Sequence, residues 1–248
     1  MLKTVPLRTG QQGDSLFLLN LLTILKSRVS MSVVLRTNVT KEFNEIIINY
    51  DIFICTESKI DNFDVLNVPE GYSSFSKCRK QFAKKSGGIT VIFKNELKDI
   101  LNFQNTDCEF VLWVEIENII EQKHLLLGCI YIPPENSKYS SQESDQIEGE
   151  LLSFKTESTV TALTGDFNAR SSTLTDYIVP DDKLMRFLNI DEINDVHNYL
   201  YEFQKLQEKN IPVERSSEDR GRCNNYGYKM LNFCKNNSIF IANGRSYM

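Results

Sequence analysis

The chain has 248 residues, 41% of them apolar, and a net charge of −5 from 28 basic and 33 acidic side chains. That is enough apolar material for one large core, and the acidic balance excludes a global basic field, so any polyanion must be met by a local patch. Six scattered cysteines (Cys55, Cys78, Cys108, Cys129, Cys223 and Cys234) form no C-x-x-C pair, which argues for a disulfide-free intracellular protein and against a zinc site.

In chain order, residues 1–20 read as a flexible leader, loosened by Gly10-Gln11-Gln12-Gly13, and residues 21–248 as the folded domain. The apolar run at 16–25 is too short and interrupted to span a bilayer and has no small-residue cleavage site after it, so no membrane role is expected. Its second half, 22–25, predicts the first core strand. Val39, Phe43, Ile46 and Ile47 share one face of a helix over 38–49, capped by Asn38 or Thr40. The apolar segment 51–55 predicts a buried strand ending beside Glu57, and Ser86-Gly87-Gly88 introduces another over 89–93. Residues 110–116 alternate, with Phe110, Leu112, Val114 and Ile116 on one face. A further buried strand over 125–132 stops at Pro133-Pro134, and 145–154 reads as a helix. Residues 171–222 are polar and irregular. A helix over 226–235 and a strand over 238–242 close the pattern. Strands that come both in consecutive pairs and alternating with helices predict an α/β sandwich with mixed sheets rather than a doubly wound parallel sheet.

The segment Leu163-Thr164-Gly165-Asp166-Phe167-Asn168-Ala169-Arg170 carries the chemistry. It continues the β-branched run 159–163, a buried strand. Strand alternation then sends Asp166 and Asn168 to one face and Phe167 to the other, while Gly165 permits close approach of a ligand. A carboxylate beside a carboxamide suits metal-assisted phosphate chemistry. The alternative is a strand running into an Asx-rich turn, which the same residues favour.

Taken in order, the strand ending in Thr56-Glu57, then Gly87-Gly88, then Tyr131-Ile132-Pro133-Pro134, the Gly165–Arg170 segment and Asn243-Gly244-Arg245 resemble the endonuclease/exonuclease/phosphatase superfamily, which includes the AP endonucleases and DNase I. Within it, the chain is most similar to the endonucleases of non-LTR retrotransposons, over roughly residues 22–245. The resemblance implies a four-layer α/β sandwich with two packed mixed β-sheets, DNase I-like. It implies Mg²⁺ (or Mn²⁺) as cofactor and DNA as partner, with a reverse transcriptase domain in the parent polypeptide and nuclear action on chromosomal DNA. No convincing nuclear-localisation run accompanies it, since Lys77–Lys85 is interrupted.

By the same resemblance, Glu57 binds the metal, Tyr131 contacts the scissile phosphate, Asp166 orients or activates the attacking water, and Asn168 stabilises the transition state. The basic cluster with Arg79, Lys80, Lys84 and Lys85 is a candidate substrate-binding loop. Two departures stand out. Ser27 lies where the family has an asparagine after its first strand, and Asn20 lies before that strand. The family's final strands, with an Asp–His pair, have no counterpart before Met248, so the last strands are expected to be missing and activity impaired. The two histidines, His124 and His197, read as surface or packing residues, and Thr175-Asp176-Tyr177-Ile178 only imitates the family's aspartate-tyrosine segment. The competing expectations are a non-catalytic remnant or nucleic-acid-binding module, and a phosphodiesterase acting on phosphoinositides or sphingomyelin. Tyr131-Ile132-Pro133-Pro134 and Asn243-Gly244-Arg245 favour the retrotransposon branch over the latter.

Overall fold

The computed structural model describes residues 29–31, 41–79, 86–117, 124–137, 143–178, 182–187, 206–207, 211–216 and 221–245. The chain forms two compact units, which part between Asn168 and Ala169. The leader 1–20, the strand expected at 22–25, and the residues Ser27, Lys80, Lys84, Lys85 and His197 lie outside the described residues.

All described strands belong to the first unit and form two four-stranded sheets. The first holds β1 (Val29–Met31), β2 (Ile52–Thr56), β4 (Ile89–Lys94) and β3 (Tyr72–Lys77), in that spatial order. Here β1 pairs parallel with β2, and the other pairs are antiparallel. The second runs β5 (Leu101–Gln104), β6 (Val111–Glu117), β7 (His124–Tyr131), β8 (Thr159–Asp166). Its first pairs are antiparallel and β7 with β8 is parallel, so both sheets are mixed.

The sheets pack face to face through aromatic rings, with Phe103 stacked on Phe75 at 4.4 Å and tilted against Phe93 at 5.4 Å. Each outer face is covered by a helix. Helix α1 (Lys41–Ile47) lays Ile47 and Phe43 on Phe53, Cys55 and Ile92 of the first sheet. Helix α2 (Glu143–Phe154) packs Phe154 against Trp113 of the second sheet. Its Glu150 accepts from Trp113 Nε1 and from the Cys108 N–H, both at 2.9 Å. A buried indole N–H thereby finds the partner it needs. The result is the expected four-layer α/β sandwich.

Several expectations change in detail. Over β6 the alternating face is buried as predicted, but Val111 and Trp113 on the other face are fully buried too, Trp113 beneath α2. Ile46, expected in the α1 core face, is 48% exposed; only its neighbour Ile47 is enclosed. Strands β1, β3 and β5 are not among those the sequence predicts. Tyr72–Lys77 carries three serines and reads as turn sequence, yet pairing with β4 and the Phe75–Phe103 stack hold it extended. All six cysteines are thiols, and burial pushes that of Cys55 up to about 12.

The second unit contains α3 (Asp182–Phe187) and α4 (Asn225–Asn237). Asn224 caps α4 by accepting from Gly227 N–H, and Ser238 ends it in the left-handed region at φ 61°. The strand expected at 238–242 does not form, because its backbone has another partner. Ile241 N–H donates to Asp176 Oδ2 at 2.6 Å. Asp176 is buried and bridged on both oxygens by Arg245, at 2.6 and 2.7 Å. Arg245 also donates to the carbonyls of Pro212, Val213 and Ile241. Asp176 is therefore a structural anchor.

Candidate active site

One end of the sandwich collects Glu57, Arg79, Tyr131, Asp166 and Asn168, all within the first unit. In the first sheet, β2 and β3 finish and β4 begins at this end, because both are antiparallel to β4. In the second sheet, β7 and β8 finish here and β6 begins. Tyr131 and Asp166 are register partners on the neighbouring parallel strands β7 and β8. Residues paired in this way project from the same face. That face is the one bearing Leu127, Val114 and Phe103, which packs on the first sheet.

Asn168 does not reach this place by strand alternation. The strand ends at Asp166, and Asn168 sits in the left-handed region at φ 46°. Its N–H donates to Asp166 Oδ1 at 2.9 Å, closing an Asx turn, and its Nδ2 donates to Ile132 O at 2.7 Å. The strand and the Asx turn, offered as alternatives by the sequence, are both present, and the turn is what brings the carboxamide beside the carboxylate. Gly165 is required for a reason within the fold. A Cβ there would lie 1.9 Å from Ile130 O, at φ 143°, so the adjacent strand by itself demands glycine here.

On the first sheet, Glu57 leaves β2 at φ 54° and Lys59 follows at φ 52°. Ser58 and Lys59 donate their N–H groups to Gly88 and Gly87 carbonyls at 3.2 and 2.8 Å, which ties the turn to the start of β4. Glu57 is 36% exposed, and its carboxylate meets Lys59 Nζ at 3.1 Å. Arg79, just past β3, crosses towards the second sheet. Its guanidinium carbon lies 5.4 Å from the Tyr131 ring centroid and 5.3 Å from that of Phe110. Of the proposed basic loop, Arg79 is thus placed at the site. Lys80, Lys84 and Lys85 lie outside the described residues.

The electrostatics bind these groups together. Burial raises the Tyr131 phenol to about 12, helped by the negative charges of Glu57 and Asp166 and opposed by Arg79. Both carboxylates are therefore within electrostatic reach of one buried hydroxyl, which stays a donor across ordinary pH. Among the described residues, no group of three or more His, Cys, Asp or Glu gathers as a metal site. Mg²⁺ does not need one, since it is held by one or two carboxylates and keeps several waters. Glu57 and Asp166 offer the hard carboxylate oxygens that such an ion takes, and the charge of each acts on the Tyr131 phenol. His124 opens β7, about 23 Å of strand away from Tyr131, and takes no part. The alternation of 110–116 marks Phe110 only as a core residue; its place just before β6, where Tyr131 N–H donates to Phe110 O at 2.9 Å, puts it at the site.

No family model matches the chain, and no curated protein does. Solved structures similar to it include the AP endonuclease LMAP from Leishmania major, at 17% identity and TM-score 0.42, over 53% of this chain and 49% of that one. The human Nocturnin catalytic domain with bound sulfate aligns at 12% identity and TM-score 0.41, over 57% of this chain and 64% of that one. The endonuclease domain of TRAS1, a telomere-specific non-LTR retrotransposon, aligns at 13% identity and TM-score 0.39, over 64% and 66%. The chain thus spans between about half and two thirds of the length of these structures.

Proposed function

We propose that the protein is a Mg²⁺-dependent phosphodiester hydrolase that nicks DNA, of the kind that serves non-LTR retrotransposons. The observation that carries this reading is the register pairing of Tyr131 with Asp166 at the sheet end, with Asn168 turned in beside them. Glu57 would hold the metal, with Asp166 facing the same space. The ion, when bound, neutralises charge on a phosphoryl oxygen. Asp166 accepts the proton of the attacking water. The Tyr131 phenol, protonated throughout the physiological range, donates to a non-bridging phosphate oxygen. The Asn168 amide, turned in at this end, serves the oxygens that gain charge as the P–O bond breaks, and the leaving oxygen takes its proton from solvent water. The resemblance also carries a reverse transcriptase domain as partner in the parent polypeptide and the nucleus as the place of action.

Plasmid nicking by the purified chain tests the reading. Mg²⁺-dependent nicking that EDTA stops and Asp166→Ala abolishes is the expected result; equal nicking by the variant overturns it. A second reading, a nucleic-acid-binding module without turnover, is favoured by one observation: Lys59 already occupies the Glu57 carboxylate at 3.1 Å. Under it, the wild-type chain and Asp166→Ala bind DNA alike and neither nicks.

A further inference from the structure

The turn that carries Glu57 is built so that a cation of the protein's own meets its carboxylate. Glu57 and Lys59 both stand in the left-handed region, at φ 54° and 52°. That region is costly for residues other than glycine and persists where the surroundings impose it. Here Ser58 is fully buried between them, and the N–H groups of Ser58 and Lys59 donate to the Gly88 and Gly87 carbonyls at 3.2 and 2.8 Å. A Cβ at Gly88, φ 87°, would stand 2.8 Å from Ser58 Oγ, so the seat of this serine requires glycine. With Ser58 turned inward, the side chains on either side of it remain part-exposed, and Lys59 Nζ reaches Glu57 Oε1 at 3.1 Å. The ammonium is a stand-in cation on the carboxylate assigned to the metal. A divalent ion arriving there has to displace it or share the carboxylate with a like charge, and either weakens its hold.

We propose that Lys59 is a built-in counter-cation that competes with the divalent ion for Glu57 and so sets the metal affinity of the site. The inference rests on the reading of Glu57 as the metal ligand. The Lys59 and Glu57 side chains are 39% and 36% exposed, so water screens the pair and the competition is modest. The ion therefore displaces the ammonium and is not barred by it. Lys59 also offsets negative charge at an end where Glu57 and Asp166 both act on Tyr131.

The test is Mn²⁺ binding to the purified chain, followed by the EPR signal of the free ion, so that no turnover is involved. Wild type should bind the ion, and Glu57→Gln should weaken that binding about tenfold. Lys59→Gln should tighten it about threefold, the factor that an exposed ion pair is worth. Lys59→Gly, which suits φ 52°, should do the same, and Lys59→Arg, which keeps the charge, should bind as wild type does. Added to Glu57→Gln, Lys59→Gln should have no further effect, because the carboxylate competed for is gone. Equal affinity of wild type and Lys59→Gln overturns the proposal. So does tightening that persists in the Glu57→Gln background, since that is a general field and not competition. Nicking is measured in parallel with Mg²⁺. Glu57-dependent Mn²⁺ binding that Lys59 weakens, without nicking, leaves this inference standing and removes the hydrolase reading; nicking with Mn²⁺ binding indifferent to Lys59 does the reverse. Mn²⁺ binding that is indifferent to Glu57, or absent from both wild type and Lys59→Gln, overturns the inference together with the assignment of Glu57.

Discussion

Asp166 and Asp176 sit in regions that treat the same side chain in opposite ways. Asp176 is enclosed, and Arg245 closes on both of its oxygens while Ile241 N–H takes a further lone pair. Every strong interaction available to that carboxylate is made within the protein, and the group holds loops together. Asp166 is only part-buried and gives one oxygen to the N–H of its own Asx turn. Its electrostatic neighbours are a phenol and, beyond it, the field of Glu57 and Arg79. A carboxylate saturated by an arginine fork is architecture. One that is oriented by a single local bond, at a sheet end where two other charges converge, is available for chemistry.

The largest expected effect breaks the Asp166 side of this contrast. Asp166→Asn keeps an acceptor for Asn168 N–H but removes the base, so nicking should fall about 10³-fold while stability stays within about 0.5 kcal/mol of wild type. Plasmid nicking and urea unfolding on the same preparation measure both. A comparable loss of stability would mean that Asp166, too, is architecture.

The Asp176 side is tested by unfolding. Arg245→Met leaves a buried carboxylate without its counter-charge and should destabilise by about 3–5 kcal/mol, read from the urea midpoint. The double variant Asp176→Leu/Arg245→Met removes both charges and should recover most of that loss. It should still fall short by about 1–3 kcal/mol, because Ile241 N–H is left without its acceptor. Full recovery would show that the backbone bond contributes little.

A smaller effect sharpens the account of Tyr131. Tyr131→Phe should lower the nicking rate roughly tenfold, the loss of one hydrogen bond to a charged oxygen. The folded phenol ionises near 12, above its ordinary 10, because of burial and then the charges of Glu57 and Asp166. A raised value means that the stabilising contribution of the protonated phenol is fully present below pH 10 and is lost as pH rises from 10 through 12. The wild-type to Tyr131→Phe rate ratio should therefore stay constant from neutrality to pH 10. A ratio collapsing below pH 9 would sink this account. Gly165→Ala gives the gentlest test of placement: its methyl meets Ile130 O, so stability should drop by about 1–3 kcal/mol, with nicking per folded molecule reduced as Asp166 shifts against Tyr131.

Much of the core was legible because its signal is local. The apolar runs of β2, β4 and β7 need no context to be read as buried strands; β8 forms where expected too, but only its Val160 is buried, and all four bounds fall within a residue or a few of the expected ones. Strand β3 was not legible, since Tyr-Ser-Ser-Phe-Ser-Lys is extended only by virtue of β4 beside it and Phe103 beneath Phe75. The 238–242 segment failed in the other direction: a strand-like composition whose Ile241 N–H is claimed by Asp176 instead of a ladder.

The sequence by itself determined which groups are available. It placed Glu57, Tyr131, Asp166 and Asn168 each at or just beyond a strand end, because alternation and turn chemistry act over a few residues. Only the tertiary structure decided that these ends coincide. Strand direction and register put Tyr131 beside Asp166, and the packing of two sheets brought Arg79 over Tyr131 and Phe110. It also sorted the aspartates, giving Asp176 to Arg245 and leaving Asp166 at the open end. Pairing and burial depend on residues far apart in the chain, and no local pattern encodes them.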